Sequence, residues 1–155
     1  GSYDWGMVFP SVGLIEREDR VDFYYAGREQ LHVRMPGNSN ICLATLRKDG
    51  FVSLEAPEQG FILTRPIEHP GGRLHVNGKT SANGSIRVAI RRGDGEFDGR
   101  WIPEWDFDRS LAFRGDSIDR GMIWEEEDDM DSLKGKSIRL QFWLQEAHLY
   151  SFWFE

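Results

Sequence analysis

Hydrophobic and polar residues alternate along much of this chain. Ile86, Val88 and Ile90 point one way while Arg87, Ala89 and Arg91 point the other, the two-residue period of a strand with one face in a core. The same period recurs where Ile138, Leu140, Phe142 and Leu144 alternate with Arg139, Gln141 and Trp143, which places Trp143 and Arg139 on the wetter face. In the last stretch, Leu149, Ser151 and Trp153 alternate with Tyr150, Phe152 and Phe154. Both sets are largely apolar, so this strand is predicted to be covered on both faces. Further short extended runs are predicted at 61–65, 73–76 and 117–125, with Gly71-Gly72, Asn83-Gly84, Asp94-Gly95 and Gly135 as punctuation. A hairpin is expected over 41–56, turning at Lys48-Asp49-Gly50, where Asp49-Gly50 tolerates the positive φ of a tight turn. Helical periodicity is nearly absent. These patterns predict an all-β fold, an antiparallel, jelly-roll-like β-sandwich with less than about one-tenth helix.

Residues 3–35 stand somewhat apart, with strand candidates at 7–9, 14–15 and 21–25 and a break at Pro36-Gly37. The expected organisation is a hairpin and linker segment over 1–36, packed on a sandwich over 37–155. The 155 residues, 39% hydrophobic and 29% charged, argue for a folding domain and against disorder. No apolar run approaches the roughly 20 residues of a membrane helix, and no membrane partner is expected. The opening Gly1-Ser2 resembles a cloning remnant, so the lack of a leader carries no information. Cys42, the one cysteine, lies in an apolar run and is expected to be a buried thiol. A net charge of −7 argues against a nucleic-acid partner.

Four stretches carry a resemblance: ICLATLRKDGFVSLEA at 41–56, GFILTRPIEHPGGRLHVN at 60–77, GSIRVAIRRGDGEFDG at 84–99 and SIRLQFWLQEAHLYSFWFE at 137–155. In order and spacing they resemble the C-terminal β-sandwich that follows a five-bladed β-propeller in bacterial proteins similar to glycoside hydrolase families 32 and 43. DWGMVFPS and RVDFYYAGRE, within residues 3–30, look like the last propeller strands leading into that sandwich. The resemblance implies an N-terminal hairpin derived from the propeller. It also implies a parent enzyme that is secreted, periplasmic or on the cell surface, whose chemistry resides in a propeller funnel absent here. No catalytic residue is carried over. The chain departs from the pattern at GRWIPEWDFDRS, residues 99–110, where relatives have a small polar continuation.

That departure holds the first candidate site. Sugar rings offer flat C–H faces that stack on indole, and their hydroxyls hydrogen-bond to Arg, Asp, Glu, Asn and Gln. Trp101 and Trp105 lie four apart among Arg100, Glu104, Asp106, Asp108 and Arg109, in a segment that reads as a loop. The competing reading folds one or both indoles inward to anchor that loop. The second candidate is the sheet face with Trp143, Arg139 and Arg87, joined by Arg91 and Gln141 if their strands are neighbours. Its competing role is docking against the propeller. Trp124 and Trp153 are expected in the core or a second layer, and Trp5 in the N-terminal hairpin.

His32, His69, His75 and His148 have no metal-protease spacing, and neither a Gly-x-Ser-x-Gly elbow nor a phosphate-binding glycine loop is present. The expectation is therefore no enzyme activity and no cofactor. A structural calcium at Asp94, Glu96 or Asp98 is the one metal with oxygen ligands to suggest it. Asp128, Asp129 and Asp131 read as solvated loop. The expected function is a carbohydrate-binding accessory module whose partners are a polysaccharide or oligosaccharide and the parent catalytic domain. The alternative is a sandwich that caps or docks a catalytic propeller without binding glycan, and a small catalytic sandwich ranks third.

Overall fold

A computed structural model describes residues 2–31, 38–93, 101–125 and 130–155. The chain forms two compact units, Gly1–Phe51 and Val52–Glu155. Both are antiparallel β-structure, and the described residues contain no α-helix, only single 3-10 turns at Pro103–Trp105 and Asp131–Leu133. The all-β expectation therefore holds.

The first unit contains β1 (Met7–Pro10), β2 (Ile15–Glu16), β3 (Arg20–Arg28) and β4 (Ser39–Arg47). The aromatic, β-branched run of β3 is the hub. It pairs with β1 and β2 on one side and along its whole length with β4 on the other, from Arg20↔Arg47 to Arg28↔Ser39. This corrects the hairpin expected over 41–56. The turn after β4 does form, with Gly50 N donating to Arg47 O at 3.1 Å. However, β4 turns back on β3, and the next strand belongs to the second unit. The two compact units divide after Phe51. The left-handed residue of the turn is Asp49, at φ 49°. Pro36-Gly37 lies outside the described residues.

The second unit contains β5 (Leu54–Leu63), β6 (Ile67–Glu68), β7 (Leu74–Arg92), β8 (Asp116–Gly121) and β9 (Ser137–Phe154). Their order is β5-β9-β7-β8, with β6 also on β9. Sequence predicted one strand on each side of Asn83-Gly84 (73–76 and 85–91) and one on each side of residues 146–147 (137–145 and 148–154). The structure joins each pair into one ribbon of 19 or 18 residues.

Those ribbons are folded over. Phe142 and Phe152, ten residues apart on β9, would be about 33 Å apart in a straight strand, yet their ring centroids are 5.2 Å apart. His69, next to β6 at the start of β9, packs on Phe154 at its end, with centroids at 4.6 Å. The fold lies where register shifts: Ala56 to Gln59 on β5, Thr80 to Ser85 on β7, and opposite both at Glu146 of β9. Glu146 takes φ 42° there. At Gly84 a side chain has no room, because a Cβ would meet Glu146 O and come within 2.7 Å of Gln145 O. Each half-ribbon supplies one layer of a sandwich.

Between the layers Leu74, Val76, Ile86, Val88, Ile90, Ile138, Leu140, Phe142, Leu144 and Leu149 form one cluster with Trp105, Trp124, Met122 and Met130. The alternation read from sequence is correct in phase: Ile86, Val88, Ile90, Leu140 and Phe142 are fully enclosed and Leu144 nearly so. Cys42 is buried in the first unit, as expected.

Residues 101–124 cover the free edge of the C-terminal half of β7. Ile102 N donates to Ile90 O at 3.1 Å, and Ile86 exchanges both backbone hydrogen bonds with Phe113. At Val88 side chains replace a strand: Ser110 Oγ accepts from Val88 N at 3.0 Å, and Trp124 Nε1 donates to Val88 O at 2.8 Å. An exposed strand edge invites pairing with other chains. Covering it places Trp101 beside Arg91.

Candidate functional site

The register of β5, β9 and β7 fixes which side chains share the outer face of this layer. Phe61 is opposite Trp143, and Trp143 is opposite Arg87. The next row outward along β9 is Leu63, Gln141 and Ala89, followed by Arg139 opposite Arg91, with Trp101 bridged to Arg91. The sheet pleat keeps every one of these on the side away from Phe142 and Val88.

The loop and the sheet face, two separate candidates in the sequence, converge here. Trp101, Asp106, Phe107 and Asp108 from the loop and Gln141 and Trp143 from β9 line one groove of roughly 360 Å³. Trp101 and Trp143 are 38% and 37% exposed, so each indole keeps an accessible surface. Trp143 is flanked by Phe61, nearly parallel at 6.5 Å, and by Phe107, tilted at 5.5 Å. Arg91 lies over Trp101 at 3.9 Å, and Arg87 over Phe107 at 5.4 Å. These cation–π contacts hold the rings at fixed angles.

Other sequence candidates separate. Trp105 is 3% exposed and packs edge-on against Trp124 at 5.1 Å. It is a core residue and offers no stacking face, which corrects its assignment to a sugar platform. The 3-10 turn at Pro103–Trp105 carries Trp105 inward onto Trp124, while Trp101, ahead of the turn, stays on the outer edge against Arg91. Asp106 is partly structural, its Oδ1 accepting from the backbone N–H of Asp108 and Arg109 at 2.9 and 3.1 Å. Arg109 faces Glu125 at 3.4 Å, Glu104 is exposed, and neither lines the groove. Arg100 and the calcium candidates Asp94, Glu96 and Asp98 lie outside the described residues, as do Asp128 and Asp129. Of the remaining tryptophans, Trp124 is core, while Trp153 is half-buried and stacks on His75 at 5.5 Å.

Phe61 and Phe107 are the groove residues that sequence reasoning missed. Phe61 could have been found, since Phe61 and Leu63 alternate with Ile62 and put apolar groups on both faces of that strand. Phe107, amid WDFDRS, carries no such signal.

Two polar atoms at the groove lack partners. Gln141 Oε1 and Arg91 Nε are enclosed, and no described residue hydrogen-bonds to either. An enclosed donor or acceptor left unsatisfied costs about 1–3 kcal/mol, and of the two residues Gln141 lines the groove while Arg91 lies behind Trp101. The nearest approach to a catalytic set lies elsewhere. Ser53 Oγ is 3.2 Å from His148 Nδ1, but Glu55 Oε1 is 3.7 Å from Nε2, beyond hydrogen-bond length. Among the described residues no three of His, Cys, Asp and Glu converge as metal ligands.

Comparison with protein-family models, curated proteins and solved structures finds no match for this chain. What the fold and groove define is a class of architecture: an all-β sandwich with an aromatic groove on one layer, two of whose rings are backed by arginines.

Proposed function

We propose that this chain is a non-catalytic carbohydrate-binding accessory module of a polysaccharide-degrading enzyme, secreted, periplasmic or held at the cell surface with that enzyme. One observation carries the reading. Two half-exposed indoles, Trp101 and Trp143, open onto a single groove beside the unpartnered Oε1 of Gln141. A pyranose ring stacked on an indole gains about 1 kcal/mol beyond area burial, and one of its hydroxyls can satisfy Gln141. The groove is open, so dissociation constants on the order of micromolar to millimolar are expected.

Calorimetry against a panel of soluble polysaccharides tests this. Trp143→Ala and Trp101→Ala should each weaken binding about severalfold, measured at a temperature where each variant is fully folded, and reducing-end assays should detect no sugar release. A second reading, a face that docks a catalytic propeller, draws on Phe61, 62% exposed beside Trp143. That reading becomes the better one if no glycan binds.

A further inference from the structure

We infer that the groove selects an anionic glycan, a chain whose rings carry a carboxylate or a sulfate ester. The inference rests on the proposed reading of the groove as a glycan site and names its ligand class.

Three cations occupy one outer face: Arg87, Arg91 and Arg139. Arg91 and Arg139 are direct register partners on neighbouring strands. Like charges opposite one another in an antiparallel pair are destabilising, so this placement works against folding unless an anion sits over it. No described carboxylate forms an ion pair with any of the three.

What does hold the guanidiniums is aromatic. Arg91 lies on Trp101 and Arg87 on Phe107, contacts that orient a guanidinium without cancelling its charge. A guanidinium keeps further N–H groups beyond its aromatic contact that can meet a planar or tetrahedral oxyanion, and Arg87, Arg91 and Arg139 are all part-exposed. The carboxylates of Asp106 and Asp108 line the loop side of the groove. They repel an anion there, so the charged edge of the ligand faces β9 and Arg139 while its ring faces Trp143.

Paired polymers that differ only in charge test the inference. The pairs are polygalacturonate with its methyl ester, and dextran sulfate with dextran, titrated calorimetrically into the intact chain at about 50 and 500 mM salt. The charged member of at least one pair should bind about tenfold or more tighter at low salt and lose that advantage at high salt. Which pair responds separates carboxylate from sulfate. Arg139→Ala and Arg87→Ala should each weaken the charged polymer roughly three- to tenfold. Arg120→Ala, which removes the same charge from β8, should leave it unchanged. Because Arg139→Ala relieves the like-charge pair, its melting temperature should be equal to or above the parent's; Arg139→Gln serves as the second variant if it is not. Equal binding of both members of each pair, with no salt effect, overturns the anion inference and leaves a neutral-glycan module. Poly-glutamate binding as tightly as the charged glycan, unaffected by Trp143→Ala, also overturns it, because charge alone would then suffice. Failure of every polysaccharide to bind removes the proposed function itself.

Discussion

The two units build the same antiparallel geometry and bury it very differently. Among the described residues of Gly1–Phe51, Val21 and Cys42 are the buried hydrophobic ones, while Val8, Phe9, Tyr24, Leu43 and Leu46 are exposed and Ile41 is 89% exposed. In Val52–Glu155 the folded ribbons enclose a continuous core. The first sheet relies on polar ties. Asp22, 2% exposed, accepts from Arg17 Nε and Arg20 Nε at 2.9 Å each, and Tyr25 donates to Asp4 at 2.9 Å. The difference teaches that alternation along a strand reports its geometry, whereas burial depends on what covers the face.

The sharpest test of that contrast is truncation in each unit. Phe142→Ala removes a fully enclosed ring that bridges the two layers and should cost about 3–5 kcal/mol. Val21→Ala in the first sheet should cost less than about 2 kcal/mol. Urea unfolding of both variants measures the gap. Equal losses would mean the first sheet has a core as firm as the second.

The line where the ribbons fold can be broken from one residue. Gly84→Ala would drive a methyl group into the backbone oxygens of Gln145 and Glu146 and should destabilise by about 1–3 kcal/mol. A neutral result would mean the bend relaxes easily.

Acid should separate the units by another route. Hydrogen bonds from Arg17 and then Arg20 hold the Asp22 carboxyl below the usual carboxylate range, and those from Ser2 and Tyr25 do the same for Asp4. A folded pKa below the unfolded value of about 3.9 gives stability that is fully present above about pH 4 and lost as pH falls through the folded value. Hydrogen exchange between about pH 5 and 2.5 should therefore show the β3 amides losing protection on acidification, and Asp22→Asn should flatten that dependence. An unchanged pH profile in Asp22→Asn would remove this carboxylate from the account.

Much of this was legible in the sequence, and the rest was hidden for identifiable reasons. The phase of β7 and β9 could be read because Ile, Val, Leu and Phe alternate with Arg and Gln over several residues. The fold-over could not, because its pivot on β9 is Glu146, a non-glycine residue at positive φ, and the sequence shows there only an interruption between two strands. Asn83-Gly84 was visible as an interruption, but a break between strands and a bend within one look alike. Trp101 and Trp105 are the same residue type in the same segment. Their opposite fates are decided by Trp124 and Arg91, which are distant in sequence.

The smallest effect lies at the turn that leaves β4. Asp49 holds φ 49°, a left-handed conformation costing an ordinary L-residue roughly 1–2 kcal/mol, and Asp somewhat less because it bonds locally. Asp49→Gly removes that cost but adds freedom to the unfolded chain. The two nearly cancel, and stability should change by no more than about 0.5 kcal/mol. Asp49→Val keeps the backbone demand and adds a branched side chain that resists it, so it should destabilise by about 1 kcal/mol or more. Since Asp49 belongs to the first unit, protection should fall in the β3 and β4 amides of Asp49→Val while those of β7 and β9 stay protected. Loss of protection in all four strands together would show that the two units unfold as one.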